Sequence, residues 1–400
     1  MFKDSSLRRS LERIHWIHAL GQLGGPIWVL TRFSYIPLQR ETEIWAYLYG
    51  ILHGLCITIG YHRLWAHRSF RANIILRIFL AVVGAGMVQR PIIWWVQAHR
   101  AHHRYVDTDR DPYNARRGLF YSHIGWLLVR QDSSKWDIDI SDLLNDPVVV
   151  WQERYYIPLA VFSSFIVPTL VAGWGWGNWR GGIFWAGLVR LVISWHCTFT
   201  VNSLAHWMGT QPFSQKVTAR NNLLVGILAA GEGYHNFHHQ FPFDYRNGVY
   251  WYDFDPSKWV IWLLAQLGLA RGLNTATEQA IDECRSQSHR EQQREGRCLG
   301  ESSRANRDTI PVIEWDEYVQ QVQNGRALVA IAGSIYDVSG FLDKHPGGEQ
   351  LLRSACGKDA TAMFHGGSFD HSPAASDLLS TMRVYIIQGG GPVEVLRTRQ

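Results

Sequence analysis

Histidine recurs in this chain at intervals that can do chemistry. Four short segments hold ligand-type side chains close together: HRLWAH (His62, His67), HRAHH (His99, His102, His103), NSLAH (Asn202, His206) and HNFHH (His235, His238, His239). On a helix, residues three and four apart share a face, so His99, His102 and His103 converge, as do His235, His238 and His239, and Asn202 with His206. His62 and His67 are five apart and need a helix end or a bend. Neutral imidazole ligates iron, copper, zinc or nickel, and this many donors make a two-metal centre the economical expectation. Any one HxxHH taken alone is equally a satisfied interfacial pair. Together the clusters have few bland explanations, because unpaired buried imidazoles are costly and these flank apolar stretches.

The elements that must position them are membrane helices. A crossing takes roughly 20 mostly apolar residues, and four stretches qualify: His15 to Phe33, Ile44 to Tyr61, Tyr156 to Gly173 and Gly182 to Leu204. Arg190, inside the fourth, has to face protein, water or an interface. A shorter run, Ile74 to Val88, reads as an interfacial or buried helix. If the first two clusters build one site they share a side of the membrane, and the 31 residues between His67 and His99 cannot supply two crossings, whereas the 98 between His103 and Asn202 can. Four crossings put both termini on one face. The basic segment with Lys3, Arg8, Arg9 and Arg13 makes that face cytosolic.

Composition agrees with two unlike parts. The chain has 400 residues, too many for one ordinary domain, and its 19 Trp, 16 Tyr and 17 Phe suit membrane interfaces. Mean hydropathy of -0.13 averages an apolar part with a polar one. A net charge of +5, with Arg spread among apolar stretches, gives nucleic-acid binding no support. The five cysteines (56, 197, 284, 298, 356) form no CxxC pair, as expected of reduced thiols facing the cytosol. No cleaved signal peptide is expected. The segment 274–307 is polar and charged and reads as a linker between a membrane domain (1–273) and a soluble domain (308–390).

In their order and intervals, HRLWAH, HRAHH and GEGYHNFHH (Gly231 to His239) resemble the three His boxes of the membrane acyl-CoA desaturases of the stearoyl-CoA, delta-9 type. DPYNARRG (Asp111 to Gly118), SHIGWLLVR (Ser122 to Arg130), NSLAH and FPFDY (Phe241 to Tyr245) extend the resemblance over residues 12 to 272, with Trp94 and Trp95 closer to the fungal form. The resemblance implies four transmembrane helices under a cytosolic helical cap. It implies a di-iron site held by His62, His67, His99, His102, His103, His206, His235, His238 and His239, with Asn202 acting through water. The implied substrates are fatty acyl-CoA and dioxygen, and the implied home is the endoplasmic reticulum membrane. A saturated chain offers no polar handle near its reacting carbons, so regioselectivity has to come from a narrow apolar tunnel. Substrate contacts carried over are Arg130, Trp95 and Thr198. Gln131, Gln97 and Ala98 depart from the animal pattern of head-group recognition. Gly50 and Gly54, on one helix face ahead of His62, fall by resemblance at the far end of the tunnel. They read equally as a helix-packing GxxxG pair.

FLDKHPGGEQLL (Phe341 to Leu352) resembles the haem-binding segment of cytochrome b5, a small α+β domain. GKDATAMFHGGSFDHS resembles its second loop. The implied haem b ligands are His345 and His371, with His365 as the competing candidate for the second. Two His ligands leave no open position, so such a haem passes single electrons, and an NADH-cytochrome b5 reductase is the implied upstream partner. Two other readings stay open from the residues: a di-iron hydroxylase or lipid-linked desaturase, and a non-catalytic metal or electron-transfer protein.

Overall fold

Apolar composition becomes helix wherever the run is long enough to close its own backbone hydrogen bonds away from water. In the computed structural model, which describes residues 14–131, 136, 138–301, 311–365, 371 and 373–387, the helices that bear on the site are nine. They are α1 (16–32), α2 (Arg40–Ala66), α3 (Ile74–Ala85), α4 (Ile92–Tyr105), α5 (Tyr156–Trp176), α6 (Trp179–Trp207), α7 (His235–Gln240), α8 (Pro256–Gln266) and α9 (Glu278–Glu301). Among the described residues, α2, α5 and α6 are long and apolar enough to cross a membrane. The first of the four expected spans falls short of that test. Its helix covers 16–32 only, where His18, Gln22 and the Gly24-Gly25-Pro26 step dilute the apolar run. The short helix α3 packs Leu76, Leu80 and Ala81 into the core around Tyr61 and Trp65. Lys3, Arg8, Arg9 and Arg13, on which the cytosolic orientation rests, lie outside the described residues.

Chain contacts cluster into two units that divide between Leu299 and Gly300. Part of the expected linker is ordered: α9 is helical from Glu278 to Glu301. Its Glu, Gln, Arg and Ala content favours helix, and its first half docks on the first unit. Ile281 is 3% exposed and shares a core with Phe213, Phe237 and Phe241. Ser288 donates to the Gln211 carbonyl at 2.9 Å, and Arg285 lies over the Phe213 and Tyr250 rings. Because Phe237 sits in α7, the docked half of α9 braces the helix that carries three candidate ligands. Residues 302–307 of the linker lie outside the described residues.

The second unit holds a four-stranded sheet built from Val312–Ile313, Leu328–Ile331, Ser334–Asp337 and Arg383–Ile387. The last strand lies between the first, which it pairs in parallel, and the third, which it pairs antiparallel. A two-residue turn at Ala332 and Gly333, both with positive φ, joins the middle hairpin, as the twist of paired strands requires. Tyr318, Leu328 and Ile335 fill its core.

The bracing role of α9 predicts that Ile281→Ala lowers stability by about 2–4 kcal/mol, the usual cost of a large-to-small core change. Arg290→Ala, on the exposed face, should change it by less than about 0.5 kcal/mol. Thermal unfolding of the detergent-purified chain checks both.

Candidate metal centre

The five-residue spacing of His62 and His67 is resolved by a wide helical turn. The last ten residues of α2, Ile57–Ala66, are wound as a π-helix, and the His67 amide donates to the His62 carbonyl at 3.1 Å. An i to i+5 turn places residues five apart on one face, and the two rings meet with centroids 4.8 Å apart. On α4, His99, His102 and His103 share a face as their spacing predicts. Arg100, between them, ties α4 to the end of α2 through the Trp65 and Ala66 carbonyls and is itself clamped by Asp142 at 2.7 and 2.8 Å. His206 follows a break in α6 at Ser203. The six-residue α7 is too short to hold itself, and its fully buried Asn236 anchors it. The Asn236 amide accepts from Phe213 N and donates to the Ser214 and Ala219 carbonyls at 2.8–2.9 Å.

These elements bring nine imidazoles into two sets. His62, His67, His99, His103 and His238 form one, and His102, His206, His235 and His239 the other; within each, the nearest nitrogens all lie within 4.8 Å of one another. Nε2 atoms face each other at 2.8 Å (His67 and His99), 3.0 Å (His62 and His238, His103 and His238, His206 and His235), 3.1 Å (His235 and His239) and 3.3 Å (His102 and His239). Hydrogen bonds to the other nitrogens fix the tautomers. His62 Nδ1 meets Glu232 at 3.1 Å and His102 Nδ1 meets Asp111 at 2.9 Å. A carboxylate only accepts, so both rings carry their proton on Nδ1 and turn a bare Nε2 inward. His206 Nδ1 donates to Thr218, whose hydroxyl donates to Asp107 at 2.6 Å.

Burial, and then the neighbouring imidazoles, hold His99, His103, His235, His238 and His239 well below the usual histidine range; the same causes hold His67 there, with Arg100 and Arg63 adding to them. They are therefore neutral, the form that ligates metal. The bare Nε2 atoms of His62, His102 and His206 and the Nε2 atoms they meet at 3.0–3.3 Å belong to two groups of converging neutral donors, so the donor set fits two metal ions. Five and four neutral nitrogens, with carboxylates on the far side of His62 and His102, suit iron or another first-row divalent ion. Burial works to raise Glu232, but its contacts with His62 and the Arg63 guanidinium win and hold it down at about 2. Arg63 in turn is gripped by Asp255 at 2.9 and 3.0 Å and by Glu232 at 3.2 Å.

A cavity of about 770 Å³ runs from these sets between α2 and α6, lined at one end by His62, His99, His235 and Glu232. Asn202 lines it but belongs to neither imidazole set. Trp95 and Thr198, both expected as substrate contacts, line it too. Trp95 stacks on His99 and donates to Gln89 at 3.3 Å, and Gln89 donates to Thr198 at 3.1 Å. Arg130 is exposed and is not among the lining residues. Gly50 and Gly54 both line the cavity. Glu232, Asp111 and Gln89 lay inside or beside quoted motifs without an assigned role, and Asn236, between two ligand positions, had no signal beyond its place there. In the second unit, His345 and His371 face each other with ring centroids 6.3 Å apart. Each Nδ1 meets a backbone carbonyl, Gly348 at 3.2 Å and Phe364 at 3.1 Å, so neither Nε2 is used in these bonds among the described residues, and both could serve as metal ligands. The His365 side chain lies outside the described residues.

Residues 42–269 match the family model described as fatty acid desaturase, and residues 314–386 match that of the cytochrome b5-like heme/steroid binding domain. A probable acyl-CoA desaturase of Schizosaccharomyces pombe is 44% identical over 390 residues, which cover 96% of this chain and 80% of the relative. Acyl-CoA desaturase 1 of Saccharomyces cerevisiae is 40% identical over 94% of this chain and 74% of its own length. Stearoyl-CoA desaturase 5 of Homo sapiens is 45% identical over 62% of this chain and 77% of its own.

Glu232→Gln keeps the shape but removes the negative charge and leaves one acceptor oxygen where two serve His62, Arg63 and Asn247. Metal affinity should fall by about 10- to 100-fold, the usual effect of losing an outer-shell carboxylate. Metal per chain after graded chelator treatment, read by mass spectrometry against the parent, checks it.

Proposed function

Because the chain belongs to the fatty acid desaturase family and carries a cytochrome b5-like domain, we propose that it desaturates saturated fatty acyl-CoA at the delta-9 position, turning stearoyl- and palmitoyl-CoA into oleoyl- and palmitoleoyl-CoA. The observation that carries this reading is the placement of two facing imidazole sets at the end of an apolar cavity between two apolar helices. One dioxygen, two electrons and two protons take two hydrogens from adjacent methylenes and leave two waters. A di-iron centre held by His62, His67, His99, His102, His103, His206, His235, His238 and His239, with Asn202 beside it, supplies the oxidising power when bound.

The protein's own part is position and dryness. An acyl chain in the cavity would pass His62, His99 and His235 away from bulk water, so the bond attacked is set by distance from an anchored head group. Gln89, pinned between Trp95 and Thr198, fixes the wall at that level. His345 and His371 would hold a haem b, which would supply electrons one at a time, with an NADH-cytochrome b5 reductase as its electron donor. Carrying donor and acceptor on one chain raises their effective concentration. We place the protein in the endoplasmic reticulum membrane with α1 as the first of four spans, and with both termini and the metal centre on the cytosolic face.

Membranes containing the protein, given stearoyl- or palmitoyl-CoA with NADH and dioxygen, should yield monounsaturated product with the bond at carbon 9 by mass spectrometry. Hydroxylated product, or none, sinks the reading. His345→Ala should abolish the reduced haem absorbance and NADH-driven turnover. The pair His371→Ala and His365→Ala identifies the second ligand, the first losing the haem spectrum and the second keeping it.

A further inference from the structure

His123 and His196 are two imidazoles that the metal centre does not use, and they meet where α6 breaks. Asn202 and His206 are four apart and would share a face on an unbroken helix. Instead Asn202 lines the cavity while His206 joins the second imidazole set. The residue that parts them is Ser203, 1% exposed, with φ of -110° and ψ of -73°. Its amide and its hydroxyl both donate to the Phe199 carbonyl, at 3.2 and 2.8 Å. A serine hydroxyl bonded back onto the carbonyl four residues earlier bends a helix. Past the bend the His206 amide donates to the Ser203 carbonyl, three residues back, at 3.1 Å, and the Arg220 amide fastens the turned end through the Ala205 carbonyl at 2.6 Å.

A free hydroxyl can leave such a bond by rotating. Here the rotor is held. A carbonyl only accepts, so the Ser203 hydroxyl is the donor to Phe199, and its oxygen accepts from His123 Nδ1 at 2.9 Å. His123 therefore carries a proton on Nδ1. Its Nε2 meets His196 Nδ1 at 3.0 Å, and the two rings lie 21° from parallel with centroids 5.3 Å apart. His196 and Ser203 are seven residues apart on α6, two helical turns, and so share the face turned to the short helical segment Tyr121–Gly125 that carries His123. His123 thus spans the last two turns before the break as a strut, with Phe199 edge-on to its ring at 5.9 Å.

We propose that His123, propped by His196, is a positioning residue for the metal centre: it locks the Ser203 hydroxyl onto Phe199 and so fixes the break that turns His206 into the second imidazole set. This rests on the two-metal reading of the site. His123 touches none of the nine imidazoles in the two sets among its printed bonds and acts on one of them through the backbone of α6.

The test counts metal ions per chain in the detergent-purified full-length protein loaded with ferrous iron and challenged with graded chelator. His123→Phe keeps a ring against His196 and Phe199 but has no Nδ1–H. The second set should then lose about 10- to 100-fold in affinity, the usual effect of removing a group that orients a ligand. One ion per chain should remain where the parent keeps two. His123→Asn gives up the ring yet offers an amide N–H close to the place of Nδ1, and it should hold both ions. Ser203→Ala should match His123→Phe, and combining the two should add nothing, because each removes the same bond. Packing alone gives the opposite order, with Phe tolerated and Asn not. Parent-like retention in the Phe and Ala variants, or a loss in Asn as large as in Phe, overturns the proposal, and Ser203→Ala decides it if the Phe variant does not fold. A parent that loads both ions but makes no unsaturated acyl-CoA is instead a failure of the functional reading, and the metal count still decides the role of His123.

Discussion

Nine imidazoles, most of them buried, gather nitrogen to nitrogen at 2.8–3.3 Å in two sets of neutral donors that have to be held facing inward. Much of the surrounding architecture answers that constraint. Carboxylates on Nδ1 of His62 and His102, and a threonine relay on His206, orient the rings with their bare nitrogens inward. Those carboxylates are negative charges in a dry place, and Arg63 balances Glu232 and Asp255 together. Asp255 also caps α8 through the Lys258 amide, so one charge network joins the metal sets to the next element of the fold.

The same constraint explains why so little of the site stands on long elements alone. Four separate segments must converge, and each needs its own fastening: Arg100 for α4, Asn236 for α7, the docked half of α9 behind Phe237. A cavity alongside must stay apolar while ending at this charged shell, and Trp95, stacked on His99, makes the transition from one to the other.

The convergence of the imidazoles was legible from spacing, because three- and four-residue intervals on a helix report which side chains share a face. The two-domain organisation was legible from the change of composition. What escaped were groups whose role depends on distant contacts. Glu232 sits within a quoted motif, yet nothing in the sequence tells that it holds His62, 170 positions earlier in the chain. The docking of α9 within the 274–307 segment was not legible because the helix is polar by composition, while Ile281 and a few neighbours, too sparse to show a clear apolar stripe, are enough to dock it. The first expected span fell short where polar residues and a Gly-Gly-Pro step dilute its helix.

The wide turn at the end of α2 carries a further consequence for how the chain can vary. A π-helical turn is an α-helix that has taken in one additional residue and not expelled it, and α-helical residues advance by about 100° each. Removing any single residue between Ile57 and Ala66 would let the segment relax to ordinary helix and swing His62 away from His67 by about that angle. Side chains along this stretch can therefore be exchanged within the limits of packing, but its length cannot: ten residues form a fixed-count spacer, and the metal sets read the count.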